Sequence, residues 1–391
     1  LPVTFWEITN MKHALHISNT DIHNDSRIAK EIAALIQSSE IIVTAIGLAD
    51  GFISVSQYVN DAYCFKMPLL SGSLSLFPRP ILYLFTLIEF TVRITLISKT
   101  LFPKPAIVHC HDTFALPAGW FVKKLFGSHL VYDAHELESN KNGQSIILSK
   151  ATLAIERFCW SEVDLLVSVS DSIIRWYQDT LGRKESILVL NSPAYDPNSI
   201  RQSYKICDNY WIEKFGIPQG LPIFVYLGIL GPGRGIELCL EAFSTLQGVA
   251  HVVFIGFGRL TGVINEASEK YTNVHYHSPV KHEQVVPLVS SADFGLCLIE
   301  DASLSDYLCL PNKLFEYSFA GLGVLASNFP EIEKVVTTYE LGVCCNPDSK
   351  SIKEAILAIV DSPLIRSPRD ISELGWEVQA ARLQKAYKYL L

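Results

Sequence analysis

Four stretches of the chain bring together residue types that can do chemistry. In "LPNKLFEYSFAG", Pro311, Asn312 and Lys313 stand at the expected start of a short helix, with Glu316 one turn in and Gly321 at its end. Proline tolerates a first helical turn and glycine suits the far end. The amides of such a helix start favour an anion, and Lys313 adds charge to them. A carboxylate at Glu316 suits sugar hydroxyls better than phosphate. The plain alternative is a Lys313–Glu316 pair spaced i,i+3 on a helix surface. In "YLGILGPGRGIELCLEAF", a strand ends at Gly228, a loop holds Gly231, Gly233 and Gly235, and a helix follows. Glycines let backbone approach a ligand closely, and Arg234 supplies a permanent charge with several donors. The loop lacks the GK[ST] of a P-loop, and Ile236 stands where GxGxxG needs its last glycine. A tight turn with a solvent-facing arginine is the alternative.

The other two stretches belong to the first half. In "AIVHCHDTFALPAG", strand alternation puts His109 and His111 on one face and Asp112 at the strand end. Two histidines one residue apart lack a clear third ligand, so no metal is expected. Bracing a strand end is an equal reading for each. In "HLVYDAHELESN", Asp133, His135 and Glu136 fall just past a strand, where a polar cluster suits a cleft and where Asp133 equally braces a turn. GxSxG, HExxH and Asp-x-Asp are absent from the chain, which removes three common hydrolase and metal–nucleotide patterns.

Apolar runs with strand character alternate with amphipathic segments and would position these residues. Strands are expected at 12–18, 41–46, 62–67, 106–111, 129–133, 164–169 and 186–190, then at 223–227, 251–256, 273–277, 293–299, 322–327 and 342–345. Between the first two, Ile28, Ile32, Leu35 and Ile36 share one helical face. Short strands alternating with helices give parallel sheets wrapped by helices, and two such sets give two doubly wound domains. The polar, proline-bearing stretch 191–210 reads as their linker. Ligands of such sheets bind beyond the C-terminal strand ends, where all four stretches fall.

Composition narrows the class. With 391 residues, 49% of them hydrophobic, the chain can bury large cores. The formal charge is −8, against a general nucleic-acid partner. Residues 1–190 hold 16 Lys and Arg against 18 Asp and Glu, residues 191–391 hold 16 against 22, so the first half is the better suited to an anionic surface. Nine scattered cysteines without a CxxC pair read as reduced thiols of a cytosolic protein. Residues 1–10 precede Met11 and read as a non-native or disordered leader. The apolar stretch 74–102 is interrupted by Arg79, Pro80, Glu89, Arg93 and Lys99. A span needs ~20 apolar residues, so a buried or interfacial helix is expected.

In their order along the chain, these segments resemble the retaining glycosyltransferases of family 4 (glycosyl transferases group 1). The resemblance runs from Met11 through "DIHNDSRIAKEIAAL", "VHCHDTFALPAG", "VYDAHEL", "VYLGILGPGRGIELCLEAF", "VVFIGFG" and "LPNKLFEYSFAGLGVLAS" to "GWEVQAARLQKAY". It implies the α/β GT-B fold, two doubly wound Rossmann-like domains facing across a cleft. Residues 11–195 would form the acceptor-side domain and 205–371 the nucleotide-sugar domain, with helix 372–391 packing back on the first. The implied activity moves a hexose-type sugar from a nucleotide-diphosphate donor, UDP-linked, to a lipid-linked or polysaccharide acceptor, with retention and without metal or other cofactor. The resemblance gives catalytic roles to His135 and Glu316. It gives donor contacts to Gly231, Gly233, Arg234, Gly235, Asn312, Lys313, Glu316 and the backbone near Val280, and acceptor or cleft positions to His111, Asp112 and Glu136. It implies a cytoplasmic protein, peripheral at the inner face of the cell membrane.

Two positions depart from the family pattern. Leu308 replaces the first of two glutamates that members often carry with seven residues between them, and Ile229 stands where an arginine often follows the strand-ending glycine. Backbone amides around Ser305–Leu310 are then expected to contact the sugar instead. Leu308 keeps open a catalytically silent sugar-nucleotide-binding partner in a polysaccharide-assembly complex, and the same fold also hosts UDP-sugar epimerases.

Overall fold

The structure, a computed structural model, describes residues 11–37, 41–49, 54–57, 62–71, 78–195, 209–362 and 370–391. The expected leader and most of the polar linker lie outside the described residues. The chain divides into two compact units, Leu1–Leu190 with Val378–Leu391, and Asn191–Glu377.

The first unit is built on an eight-stranded sheet. Its strands are β1 (Lys12–Ile17), β2 (Ile41–Leu48), β3 (Ser54–Gln57), β4 (Tyr63–Met67), β5 (Ile107–His111), β6 (His129–Ala134), β7 (Leu165–Ser168) and β8 (Glu185–Leu188). They lie in the order β3-β4-β2-β1-β5-β6-β7-β8. All described pairings are parallel except β3 with β4. Helices α1 (Ser26–Gln37), α2 (Arg79–Ser98), α3 (Asp112–Phe126), α4 (Ile146–Trp160) and α5 (Asp171–Leu181) complete it, joined by most of the last helix of the chain. Register decides which side chains meet. His16 on β1 lies opposite His109 on β5, and His111 opposite Asp133 on β6. Since alternate residues of a strand share a face, His109 and His111 point the same way.

The second unit has six parallel strands, β9 (Ile223–Ile229), β10 (His251–Phe257), β11 (Val274–His277), β12 (Phe294–Cys297), β13 (Gly323–Ser327) and β14 (Gly342–Cys345), in the order β11-β10-β9-β12-β13-β14. The helices α6 (Tyr210–Phe215), α7 (Ile236–Ser244), α8 (Thr261–Lys270), α9 (His282–Val289), α10 (Leu304–Tyr307), α11 (Asn312–Phe319), α12 (Pro330–Thr338) and α13 (Ser349–Asp361) alternate with them, and α14 (Trp376–Leu390) ends the chain. Phe224, Phe243, Phe254, Leu296 and Ile356 are among the fully buried residues of its core.

Helix α2 occupies the apolar stretch expected as a buried or interfacial helix. The charges that interrupt the apolar stretch do not break it into short pieces. Arg93 pairs with Glu89 one turn away at 2.8 Å, and Glu89 also accepts the amides of Leu70 and Ser71. With those two charges offsetting each other, Ile81–Ser98 is long and apolar enough to cross a membrane by length and composition, with mean hydropathy 1.7 and only 28% of it buried. It packs on α3, with Phe90 against Phe114, and Leu87, Phe90 and Ile94 are buried.

Candidate active site

In the first unit the site is organised around Asp133, at the end of β6 and fully buried. Arg27 of α1 grips it with two bonds, Nε to Oδ2 at 3.1 Å and Nη2 to Oδ1 at 2.9 Å, and donates Nη1 to the Val189 carbonyl at 2.9 Å. Planar two-point pairing of this kind is the strong form of an arginine–carboxylate contact. His135 Nε2 lies 3.0 Å from Asp133 Oδ2, and Nδ1 of the same ring lies 3.7 Å from Asp112 Oδ1. Asp112 opens α3 directly after β5 with φ +62°, a backbone region costly for a residue with a side chain. The turn thereby sets its carboxylate beside His135. Burial alone would push the His135 pKa down, but Asp112 and Asp133 override it and hold the ring up at about 10. His135 is therefore an imidazolium at neutral pH, its Nε2–H held by Asp133 and its Nδ1–H facing Asp112 beyond hydrogen-bond distance.

Behind it lies a buried histidine stack. His16, His109 and His111 are fully buried; His109 stacks on His16 at 4.6 Å and on His111 at 4.5 Å between ring centroids. Tyr387 of α14 reaches in, its hydroxyl 2.7 Å from His109 Nδ1 and 3.2 Å from His16 Nε2. Burial and the neighbouring His111 push His109 down to about 4. Burial and Asp133 push Glu31 up to about 8 against the pull of Arg27. Glu31, His16, His109 and His111 place ligand-type atoms within 4.8 Å of one another. The rings stack nearly parallel, however, so their in-plane lone pairs do not converge on one point as tetrahedral ligation requires. The cluster is better described as support that fixes His111 and Asp133 behind His135.

In the second unit, two segments at strand ends are tied together. The loop after β9 carries Gly231, Gly233, Arg234 and Gly235. Glu300, just past β12, accepts the Gly235 amide at 3.1 Å and donates its own amide to the Gly233 carbonyl at 3.1 Å. Gly235 has φ +71°, and a Cβ there would meet the Leu298 carbonyl oxygen at 2.8 Å, so glycine alone fits the start of α7. Arg234 reaches Asp306 of α10 at 4.0 Å while staying 40% exposed. After α10, Pro311 caps α11 in extended backbone and Gly321 follows its end with φ +76°. Leu314, Phe315 and Tyr317 are fully buried and Glu316 nearly so. Tyr317 fixes the helix on the sheet. Its ring lies where a Cβ on Gly295 would come within 2.1 Å, and its hydroxyl accepts the Leu227 amide at 2.7 Å. Lys313 Nζ sits 3.8 Å above the centre of the Tyr226 ring, within cation–π range. It is buried and makes no hydrogen bond.

Among the residues expected at the site, the structure joins His135, Asp112 and His111 in one cluster, and links the Gly231–Gly235 loop to the segment before α11. Asn312 is exposed in the first turn of α11 and Glu136 is exposed beside Lys141, 3.8 Å away. Val280 lines a separate cavity of 390 Å³ with Tyr210, His277 and Gln284. Two expectations are corrected. His111 does not line a cleft; its ring is fully buried and bonds to His16 and His135. The amides of Asp306, Tyr307 and Leu308 are not free for a sugar, since Ser303 and Leu304 occupy them within α10. Arg27, Glu31, His16, Glu300 and Tyr387 were missed. Arg27 and Glu31 left a signal, an i,i+4 pair beside the apolar face of α1, and His16 left one in the alternation of "KHALHI".

Comparison with solved structures defines the class first. Sucrose-phosphate synthase from Thermosynechococcus elongatus superposes with TM-score 0.75 at 15% identity, covering 97% of this chain and 99% of that one. HepE of Anabaena, solved with UDP-glucose, gives 0.66 at 12% identity over 96% and 98%. A trehalose-6-phosphate protein from E. coli, bound with UDP-2-fluoro glucose, gives 0.66 at 12% over 97% and 96%. The fold is GT-B, with sheets of eight and six strands that are parallel except for β3. Residues 221–362, which include the whole second sheet and helices α7 to α13, match the family Glycosyl transferases group 1. The second unit thus carries a glycosyl transferases group 1 domain, and the chain as a whole shares the fold of the solved sugar-nucleotide structures. No curated protein matches it in sequence.

Proposed function

We propose that the enzyme transfers a hexose from a UDP-linked donor, with retention and without a metal, to a lipid-linked or polysaccharide acceptor at the cytoplasmic face of the membrane. One observation carries the donor side. Lys313 holds a buried ammonium with no hydrogen-bond partner, over Tyr226 and in the first turn of α11. An ammonium has three donors to offer, and a helix start favours the same kind of ligand. A diphosphate satisfies both, with Arg234 and the Gly231–Gly235 amides adding contacts. Glu316, one turn further along, accepts the ribose hydroxyls, and the backbone at Val280 meets the base. The solved neighbours with UDP-glucose and UDP-2-fluoro glucose support UDP as the nucleotide.

The imidazolium of His135 donates to the transferred sugar near its reacting carbon. As the glycosidic C–O bond breaks, negative charge gathers on the departing diphosphate, where fixed cations stabilise it. The acceptor oxygen bonds to that carbon from the leaving-group side, and its proton passes to a departing phosphate oxygen. Lys313 and Arg234 supply the charge that a metal supplies elsewhere. The test is NMR of a UDP-hexose panel turned over by the enzyme in EDTA. The expected first product is the α-hexose from an α-linked donor, with His135→Ala slower by about 10²–10³-fold. Release of the β-anomer, or turnover that needs added Mg²⁺, would contradict the reading.

A further inference from the structure

Helix α2 has two apolar sides and only one of them is packed. Leu87, Phe90 and Ile94 face inward, where Phe90 meets Phe114 of α3 at 5.2 Å. Between 81 and 98 the exposed residues are Ile81, Leu84, Phe85, Ile88, Val92 and Leu96, 44 to 56% exposed and every one apolar. Their spacing puts them along one side of the helix, a stripe about 22 Å long at 1.5 Å per residue. The neighbouring α3 adds exposed Phe121 and Leu125. An exposed apolar face of this extent is an interaction site rather than ordinary surface.

The surroundings of the stripe select its occupant. Lys99, Phe102 and Lys104 follow its C-terminal end, all exposed. Beyond Phe121 come Trp120 and, on α4, exposed Phe158 beside exposed Arg157, with Trp120 and Phe158 ring centres 5.5 Å apart. Lys124 lies over Trp120 at 5.6 Å, although its charge is shared with Glu162. Apolar and aromatic side chains rimmed by lysine and arginine match an anionic bilayer surface, phosphate against the cations and acyl chains against the stripe. Crossing the bilayer would strip α2 of its buried contacts with α3, so the helix lies in the interface.

We propose that this face of α2 and α3 docks the enzyme on anionic lipid. The inference gives a place to the membrane contact in the functional reading above. The test is flotation of the full chain with vesicles of phosphatidylcholine containing about one third phosphatidylglycerol, and with phosphatidylcholine alone. The wild type should float with the anionic vesicles. Ile88→Glu/Val92→Glu should lower its partition coefficient by about tenfold or more, with melting temperature and donor hydrolysis unchanged. Lys99→Ala/Lys104→Ala should reduce the preference for anionic vesicles. The inference fails if the wild type does not float, if the glutamate variant floats equally well, or if that variant instead turns a lipid-free dimer into a monomer, which would make a second copy the occupant. Vesicle binding without sugar-nucleotide turnover would keep this inference and remove the functional reading; turnover without binding would do the reverse.

Discussion

His135 is held positive by geometry, and that has a measurable sign. Its folded pKa, about 10, lies above the ordinary 6.5. The stabilisation it gives is therefore complete below pH 6.5 and is lost as pH rises through about 10. An NMR titration should find the ring protonated through neutral pH, and Asp112→Asn should lower its pKa by removing one of the two carboxylates. A wild-type His135 titrating near 6.5 would show that the cluster does not act this way. Part of this site was legible in the sequence. Asp133 and His135 stand just past an apolar run, where strand-end chemistry is expected. The grip of Arg27 was not, because it joins residues 106 positions apart and periodicity reports only local neighbours.

At the scale of elements, α11 shows how a short helix is held in place. Tyr317 supplies the missing acceptor for the Leu227 amide at the end of β9, where pairing with β12 reaches only Phe294 and Gly295. Tyr317→Phe keeps the ring over Gly295 but leaves a buried N–H unpaired, a cost of about 1–3 kcal/mol. Urea unfolding of the variant should show that loss, and hydrogen exchange should show the Leu227 amide opening faster. Unchanged exchange would mean that the hydroxyl does not hold this strand end. Elements were the most legible level. Every strand read from the apolar runs is present, because parallel strands buried on both faces give continuous hydrophobic stretches. The antiparallel β3, "SVSQ", has no such run and was missed. Within the stretch expected as a buried or interfacial helix, α2 runs unbroken because Glu89 and Arg93 pair one turn apart.

At the scale of the molecule, α14 returns most of its length to the first unit. Gln379 accepts the Leu190 amide at 3.2 Å, Gln384 donates to Ala34 at 2.6 Å, and Tyr387 enters the histidine stack. The order of motifs suggested a returning helix, but no local pattern could single out Tyr387, 278 residues from His109. In the second unit, a glycine loop, Arg234, Lys313 and Glu316 are gathered at strand ends with no metal in their proposed chemistry. In the proposed function Glu316 and Lys313 divide the donor between them, ribose to one and diphosphate to the other. Calorimetric titration of UDP-glucose into wild type and Glu316→Ala tests it most directly. Losing a charged hydrogen bond of about 1.5–3 kcal/mol should weaken binding by about 10- to 100-fold while the unfolding transition stays in place. Equal affinities in the two proteins would contradict the assignment.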